Sequence, residues 1–312
     1  MEGFGVKVGH RLAGSAVVQI VVMRGMCPRL RYRARMATPM HMSAEGFDAT
    51  LVSTTLDDAL RSGARVYGIS GLQGSGKSTL AAQLATEATG RGLRCALLSI
   101  DDVYLPRAER LRLAREVHPL LATRGPPGTH DVALAIEVLD ALREGRDVAL
   151  PRFDKLDDDR LPRTQWPRMR GVDLVLFEGW FLGTPAEDAA ALRAPVNTLE
   201  REEDADGRWR RWCNAALARD YPDLWRRIDR LLLLQAPSFE VVPEWRWQAE
   251  QALQATRPGA SAMNRSAVDR FVQHYERTGR QALRSLPALA DRIIALDARR
   301  RPVDAPDALI RR

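Results

Sequence analysis

The chain has 312 residues and 45% hydrophobic side chains, which excludes an intrinsically disordered protein and makes metal or disulfide staples unnecessary for a core. A net charge of +7 would suit a nucleic-acid binder, but residues 1–42 hold seven basic side chains (Lys7, Arg11, Arg24, Arg29, Arg31, Arg33, Arg35) and one acid, Glu2, and so carry six of those seven charges. The rest is near neutral and offers no electrostatic footprint for a polyanion, so no nucleic-acid partner is expected.

In chain order, the first apolar run, Leu12 to Met23, is too short to span a bilayer. The cluster Arg29, Arg31, Arg33, Arg35 follows it where a secretory cleavage site would lie. Residues 1–42 therefore read as a basic extension outside the folded domain, with Met36, Met40 and Met42 as alternative starts. Ser43 to Ser62 reads as a capped helix with apolar Phe47, Leu51, Leu56 and Leu60. Short apolar strands then alternate with helical stretches at residues 65–70, 94–100, 172–177, 230–235 and 292–296. Runs such as VDLVLF and RLLLLQ lack polar alternation, as strands buried on both faces do. The expected fold is α/β, a mostly parallel sheet flanked by helices, over residues 43–298, followed by a tail over 299–312. No membrane segment is expected. The three cysteines (Cys27, Cys95, Cys213) are odd in number and lack nearby His pairs, which argues for a reducing, cytoplasmic compartment and against a zinc site.

The strand VYGIS leads into Gly71-Leu72-Gln73-Gly74-Ser75-Gly76-Lys77-Ser78, extended by Thr79 and a helical run, which fits the phosphate-binding P-loop in both spacing and context. Glycines let backbone N–H groups face an anion, the helix N-terminus adds positive potential, Lys77 reaches the β and γ phosphates and Ser78 can hold Mg²⁺. No guanine-selecting Asn-Lys-x-Asp is present. The second strand ends in Ser99-Ile100-Asp101-Asp102-Val103-Tyr104, so Asp101 and Asp102 should emerge beside the phosphates, where a carboxylate can accept the proton of an attacking hydroxyl. The RGPPGTHD segment reads as a rigid turn with Thr129 or Asp131 capping the next helix, and His130 is a further base candidate whose commoner role is structural. All but three of the 47 basic residues are arginine, so Lys77 and Lys155 stand out. The tryptophans Trp209, Trp212, Trp225, Trp245 and Trp247, set among arginines and acids that cancel, read as helix-packing residues rather than a base-stacking platform.

These residues resemble the P-loop small-molecule kinases that include uridine kinase, pantothenate kinase and phosphoribulokinase, and most closely the D-glycerate 3-kinase family. The resemblance rests on GISGLQGSGKST, SIDDVYLPR, HPLLATRGPPGTHD, LPRFDKLDDDR, LFEGWFLG, VNTLE, APSFEVVPEWRWQAE and VDRFVQHYER, spanning residues 60 to 297. It implies a three-layer P-loop fold with a helical lid, an ATP site over Gly71 to Thr79, and transfer of the γ-phosphate to a small acceptor, D-glycerate. Asp101 would be the general base, Glu178 would lie with Ser78 near Mg²⁺ or near the substrate hydroxyl, and Arg246 would lie on the lid over the transferring phosphate. Asp102, Tyr104, Arg124, Thr129, His130, Asp131, Asp154 and Lys155 would line the acceptor pocket. The segment Leu156 to Arg160 departs from the plant-type pattern, which has a glycine-containing stretch there. Another metabolite kinase of the same group, or a regulatory ATP-binding protein, are the alternatives.

Overall fold

A computed structural model describes residues 46–256 and 263–303; the expected extension over 1–42, Cys27 and the tail beyond 303 lie outside the described residues. Five strands, β1 (Val66–Gly71), β2 (Cys95–Ser99), β3 (Leu174–Gly179), β4 (Arg230–Gln235) and β5 (Arg292–Ala295), form one wholly parallel sheet in the order β2-β3-β1-β4-β5. The uninterrupted apolar runs have the expected cause. Along β3, Leu174 and Leu176 enter one core while Val175 and Phe177 enter the other.

Helices α1 (Ala49–Arg61) and α2 (Lys77–Gly90) cover one face, while α4 (Val132–Arg143) and α6 (Arg208–Trp225) cover the other; α3 (Arg107–Glu116) and α5 (Thr198–Glu203) are peripheral. Helix α7 (Val242–Thr256) packs with the α1–α2 face, and the long α8 (Arg265–Leu289) sends side chains into both cores. The first helix begins later than the sequence suggests. Asp48 accepts from the amides of Thr50 (2.8 Å) and Leu51 (3.3 Å) and so fixes the start at Ala49, leaving Phe47 buried ahead of the helix and Leu60 exposed. Trp209 and Trp245 are buried as packing residues, in line with the reading of the tryptophan-rich segment. Cys95 and Cys213 are free thiols. No helix among the described residues is long and apolar enough to cross a membrane.

A buried ion cluster ties α8 to α5 and the loop before it. Arg277 donates to Glu200 (2.7 and 2.8 Å), to Glu187 (3.1 Å) and to the carbonyls of Ala191 (3.0 Å) and Ala194 (2.7 Å). Glu200 is fully buried. Replacing Arg277 with Met leaves that carboxylate uncompensated in a low-dielectric setting, and should cost about 3–5 kcal/mol of unfolding free energy in urea titration. A loss under about 1 kcal/mol would mean that Glu200 finds solvent in the native state.

Candidate active site

The register places Ser99 and Ile69 both opposite Glu178, so the carboxyl ends of β1, β2 and β3 meet at one edge of the sheet. The P-loop leaves β1 there and runs directly into α2, whose first turn begins at Lys77. Lys77 points back over the loop, with Nζ 3.4 Å from the Leu72 carbonyl, and Ser78 donates to Glu178 Oε1 at 3.1 Å. Burial pulls the Lys77 pKa down, opposed by the negative charges of Glu178 and Asp101.

Beyond β2, a short 3₁₀ turn over Ile100–Val103 presents the two acids in different directions. Asp102 turns back: its Oδ2 accepts from the Ser99 amide (3.1 Å) and from Arg152 (3.2 Å). Asp101 faces the crevice, where Tyr104 donates to Oδ1 at 2.8 Å and Lys155 Nζ donates to Oδ2 at 2.7 Å. Burial alone would push Asp101 up, but the ammonium of Lys155, the Tyr104 hydroxyl and Lys77 outweigh it and hold this carboxyl well below the usual carboxylate range. Asp102 has weaker compensation, and burial raises it to about 6 against the opposing Arg152.

Lys155 comes from a tight hairpin pairing Phe153–Asp154 with Asp159–Arg160. Asp154 is spent on holding that hairpin, accepting from the amides of Leu156 (2.8 Å) and Asp157 (3.2 Å). Arg124 pairs with Asp158, reaches the Lys155 carbonyl at 3.3 Å and lies over the Phe153 ring. It lines a cleft of about 290 Å³ together with Arg107, Thr123, Asp158 and Phe271.

The remaining sequence-predicted acceptor residues do not line that cleft and make contacts within the fold. Thr129 accepts from the Gly125 amide (3.0 Å) and donates to the Pro126 carbonyl (2.7 Å). Asp131 caps α4 through the Leu134 amide (3.1 Å) and pairs with Arg160 (3.0 Å). His130 has its Nδ1 2.7 Å from the Tyr221 hydroxyl, which itself accepts from the Gly128 amide. Burial drives His130 down to about 3, so the ring is neutral where it meets the Tyr221 hydroxyl. Arg246 sits on α7, paired with Glu250 (2.8 Å) and over the Phe271 ring of α8.

Tyr275 escaped the sequence reading as a site residue. Its hydroxyl donates to the Arg124 carbonyl at 2.9 Å and lies within the field of Asp101, Arg124 and Arg246. Gly125, at φ +121°, has no room for a Cβ because the Tyr275 ring occupies that space, which explains the glycine of the RGPPG turn. The only signal in the sequence was the VDRFVQHYER phrase, and a contact 151 positions long has no periodicity to reveal it.

A P-loop at the end of a central parallel strand, with an acid from the strand two places away in the sheet, is the arrangement of an ATP-dependent phosphotransferase with an alcohol acceptor. No family model matches the chain. An uncharacterised kinase of Schizosaccharomyces pombe is 38% identical over 220 residues, 67% of this chain and 78% of that protein. The chloroplastic D-glycerate 3-kinase of Arabidopsis thaliana is 30% identical over 254 residues, 74% of this chain, which spans about half (52%) of the plant protein. The structure of D-glycerate 3-kinase from Cryptococcus neoformans superposes with a TM-score of 0.67 at 24% identity, over 82% of this chain and 99% of that one, and shares the fold. The chain belongs to the same kinase family as the Schizosaccharomyces pombe protein, and its similarity extends to the plant D-glycerate 3-kinase.

The split between the two acids has a measurable consequence. The folded protein binds more protons at Asp102 than the unfolded chain does between about pH 4 and 6, so this group's contribution to stability is present below that window and is lost as pH rises through it. Asp102→Asn removes the titration. Relative to wild type, the variant should gain stability between pH 4.5 and pH 7 in denaturant titrations of nucleotide-free protein; a pH-independent difference would contradict the assignment.

Proposed function

We propose that the protein phosphorylates D-glycerate at the expense of ATP, giving 3-phosphoglycerate. The observation that carries this reading is the Asp101 carboxylate, held between Tyr104 and Lys155 at the strand end beside Lys77. A small acid acceptor needs a cation for its carboxylate, and the adjoining cleft offers Arg124 and Arg107. The Arg107 guanidinium makes no ion pair among the described residues, so it can be committed to a ligand. The names of the plant and fungal relatives supply the particular acid. Free Cys95 and Cys213 support a cytoplasmic site of action.

The pairing of the Ser78 hydroxyl with the Glu178 carboxylate, two hard oxygen donors beside the P-loop, suits Mg²⁺. When bound, the ion would be held by these two residues and the phosphates and would neutralise charge on them. The chain's own residues do the rest. Asp101 orients the acceptor hydroxyl and takes its proton as that oxygen bonds to the γ-phosphorus and ADP departs. An ion-paired carboxylate is a weak base, which suits a loose transition state, where proton transfer is late and orientation dominates. Lys155 is more than half exposed and can move from Asp101 toward the incoming phosphate, returning basicity to the carboxylate as charge builds. Tyr104 keeps Asp101 aimed while that exchange occurs.

Asp101→Asn should leave ATP binding intact and lower kcat at least about 10²-fold, read in a coupled ADP-release assay; unchanged turnover would remove Asp101 from the mechanism. Across hydroxy-acids, nucleosides and pantothenate, glycerate should give the highest kcat/KM, with the product identified by NMR as the 3-phosphate. Preference for a nucleoside or pantothenate would reassign the acceptor. ATP hydrolysis that no acceptor stimulates would instead favour a regulatory ATP-binding protein.

A further inference from the structure

After β5 the chain enters a turn that sequence reasoning assigned to the tail. Asp297 organises it, accepting from the amides of Arg299 (2.8 Å) and Arg301 (2.9 Å), while Leu296 and Pro302 bridge across it. Within the turn Arg300 adopts φ +64°, a left-handed conformation that a side-chain-bearing residue holds only when its surroundings impose it. Its guanidinium supplies the reason. Nε donates to the Gly74 carbonyl of the P-loop at 2.6 Å, Nη1 to Gln248 Oε1 at 2.8 Å and Nη2 to the Trp245 carbonyl at 3.3 Å, with the group 5.1 Å over the Trp245 ring.

Trp245 completes the grip. It is buried, its indole N–H donates to the Ala298 carbonyl at 2.8 Å, and its Cβ lies where a Cβ on Gly74 would come within 2.7 Å. The apex of the P-loop is thus held at its Cα by α7 and at its carbonyl by the turn after β5. A loop that receives phosphates through its N–H groups must keep its carbonyl dipoles turned outward, and a fixed cation on one of them holds that orientation.

We propose that Arg300 is a positioning residue for ATP, gripping Gly74 so that the P-loop keeps its phosphate-binding shape. Nucleotide affinity then depends on a residue 226 positions beyond the loop and outside every motif of the family. The inference concerns nucleotide binding and does not depend on which acceptor is used.

The test uses the full chain with Arg300→Ala, Arg300→Lys and, as a control, Arg299→Ala, whose exposed side chain has no partner among the described residues. ATP affinity is measured by calorimetry with Mg²⁺ present, alongside KM for ATP, KM for glycerate, kcat and the melting temperature. Loss of a charged, three-point contact should raise Kd and KM for ATP about tenfold in Arg300→Ala, leaving kcat at saturating ATP and KM for glycerate within about twofold. Arg300→Lys, which keeps charge without the fork, should be intermediate, and Arg299→Ala should match wild type. Equal ATP affinity in Arg300→Ala and Arg299→Ala overturns the proposal, as does a fall in kcat with KM for ATP unchanged. If Arg300→Ala does not fold, wild-type ATP affinity in Arg300→Lys overturns it equally. A wrong acceptor assignment would appear separately, as wild-type protein that binds ATP but does not turn over glycerate.

Discussion

Strands β1, β2 and β3 run parallel with Ile69 and Ser99 both opposite Glu178, so the segments that leave them emerge side by side at one edge of the sheet. A one-residue slip in either ladder would move Glu178 away from Ser78 and turn its side chain to the opposite face. What prevents the slip is the burial of both faces. Val175 and Phe177 fill one core while Leu174 and Leu176 fill the other, so any shift would exchange two packed sets of side chains. The geometry of the crevice is therefore fixed by apolar packing that never touches a ligand, and the polar groups inherit their positions from it.

Within that frame, adjacent carboxylates are driven apart chemically. Asp101 and Asp102 are neighbours in sequence and both are part-buried, yet one is held below the usual carboxylate range and the other raised to about 6. The difference lies in partners. Asp101 receives a lysine and a tyrosine hydroxyl, and Lys77 stands near; Asp102 receives a backbone amide and one arginine at 3.2 Å. The 3₁₀ turn makes this possible, since its Ser99 cap uses Asp102 as the reciprocal partner and leaves Asp101 to project into the crevice. Such divergence is how one short segment supplies both a structural cap and a site acid.

The parts of this arrangement that sequence reasoning reached are those written in local pattern. The P-loop, the buried strands and the acid after β2 are each carried by fewer than about a dozen consecutive residues with a periodicity or spacing tied to their structure. Asp131 was legible, with Thr129, as one of two cap candidates for the same reason. Partners that the fold brings together from afar were not. The Tyr221–His130 and Tyr275–Arg124 contacts join positions 91 and 151 apart, and the Arg300–Gly74 contact joins positions 226 apart. Arg246 marks the same limit from the other side. Arg246 was singled out from sequence, but its pairing with Glu250 and its place over Phe271 depend on how α7 and α8 pack.

The choice between lysine and arginine in this chain follows what each cation must do. Buried arginines act as immobile cross-links: Arg110 donates to the carbonyls of Leu105, Ala122 and Asp158, and Arg277 joins two glutamates and two carbonyls. A planar fork with five fixed donors suits that duty and resists changing partners. Lys77 and Lys155 are the lysines of the described residues, and both stand beside Asp101. Lys77 makes one long contact at 3.4 Å, and Lys155 makes one short contact from an exposed stem. An ammonium on a flexible chain can exchange a carbonyl or carboxylate for phosphate oxygens by rotating a few bonds, whereas a guanidinium locked to several acceptors would have to break them together. In a protein that uses arginine almost everywhere else, lysine stands where the proposed cycle would require the partner to change.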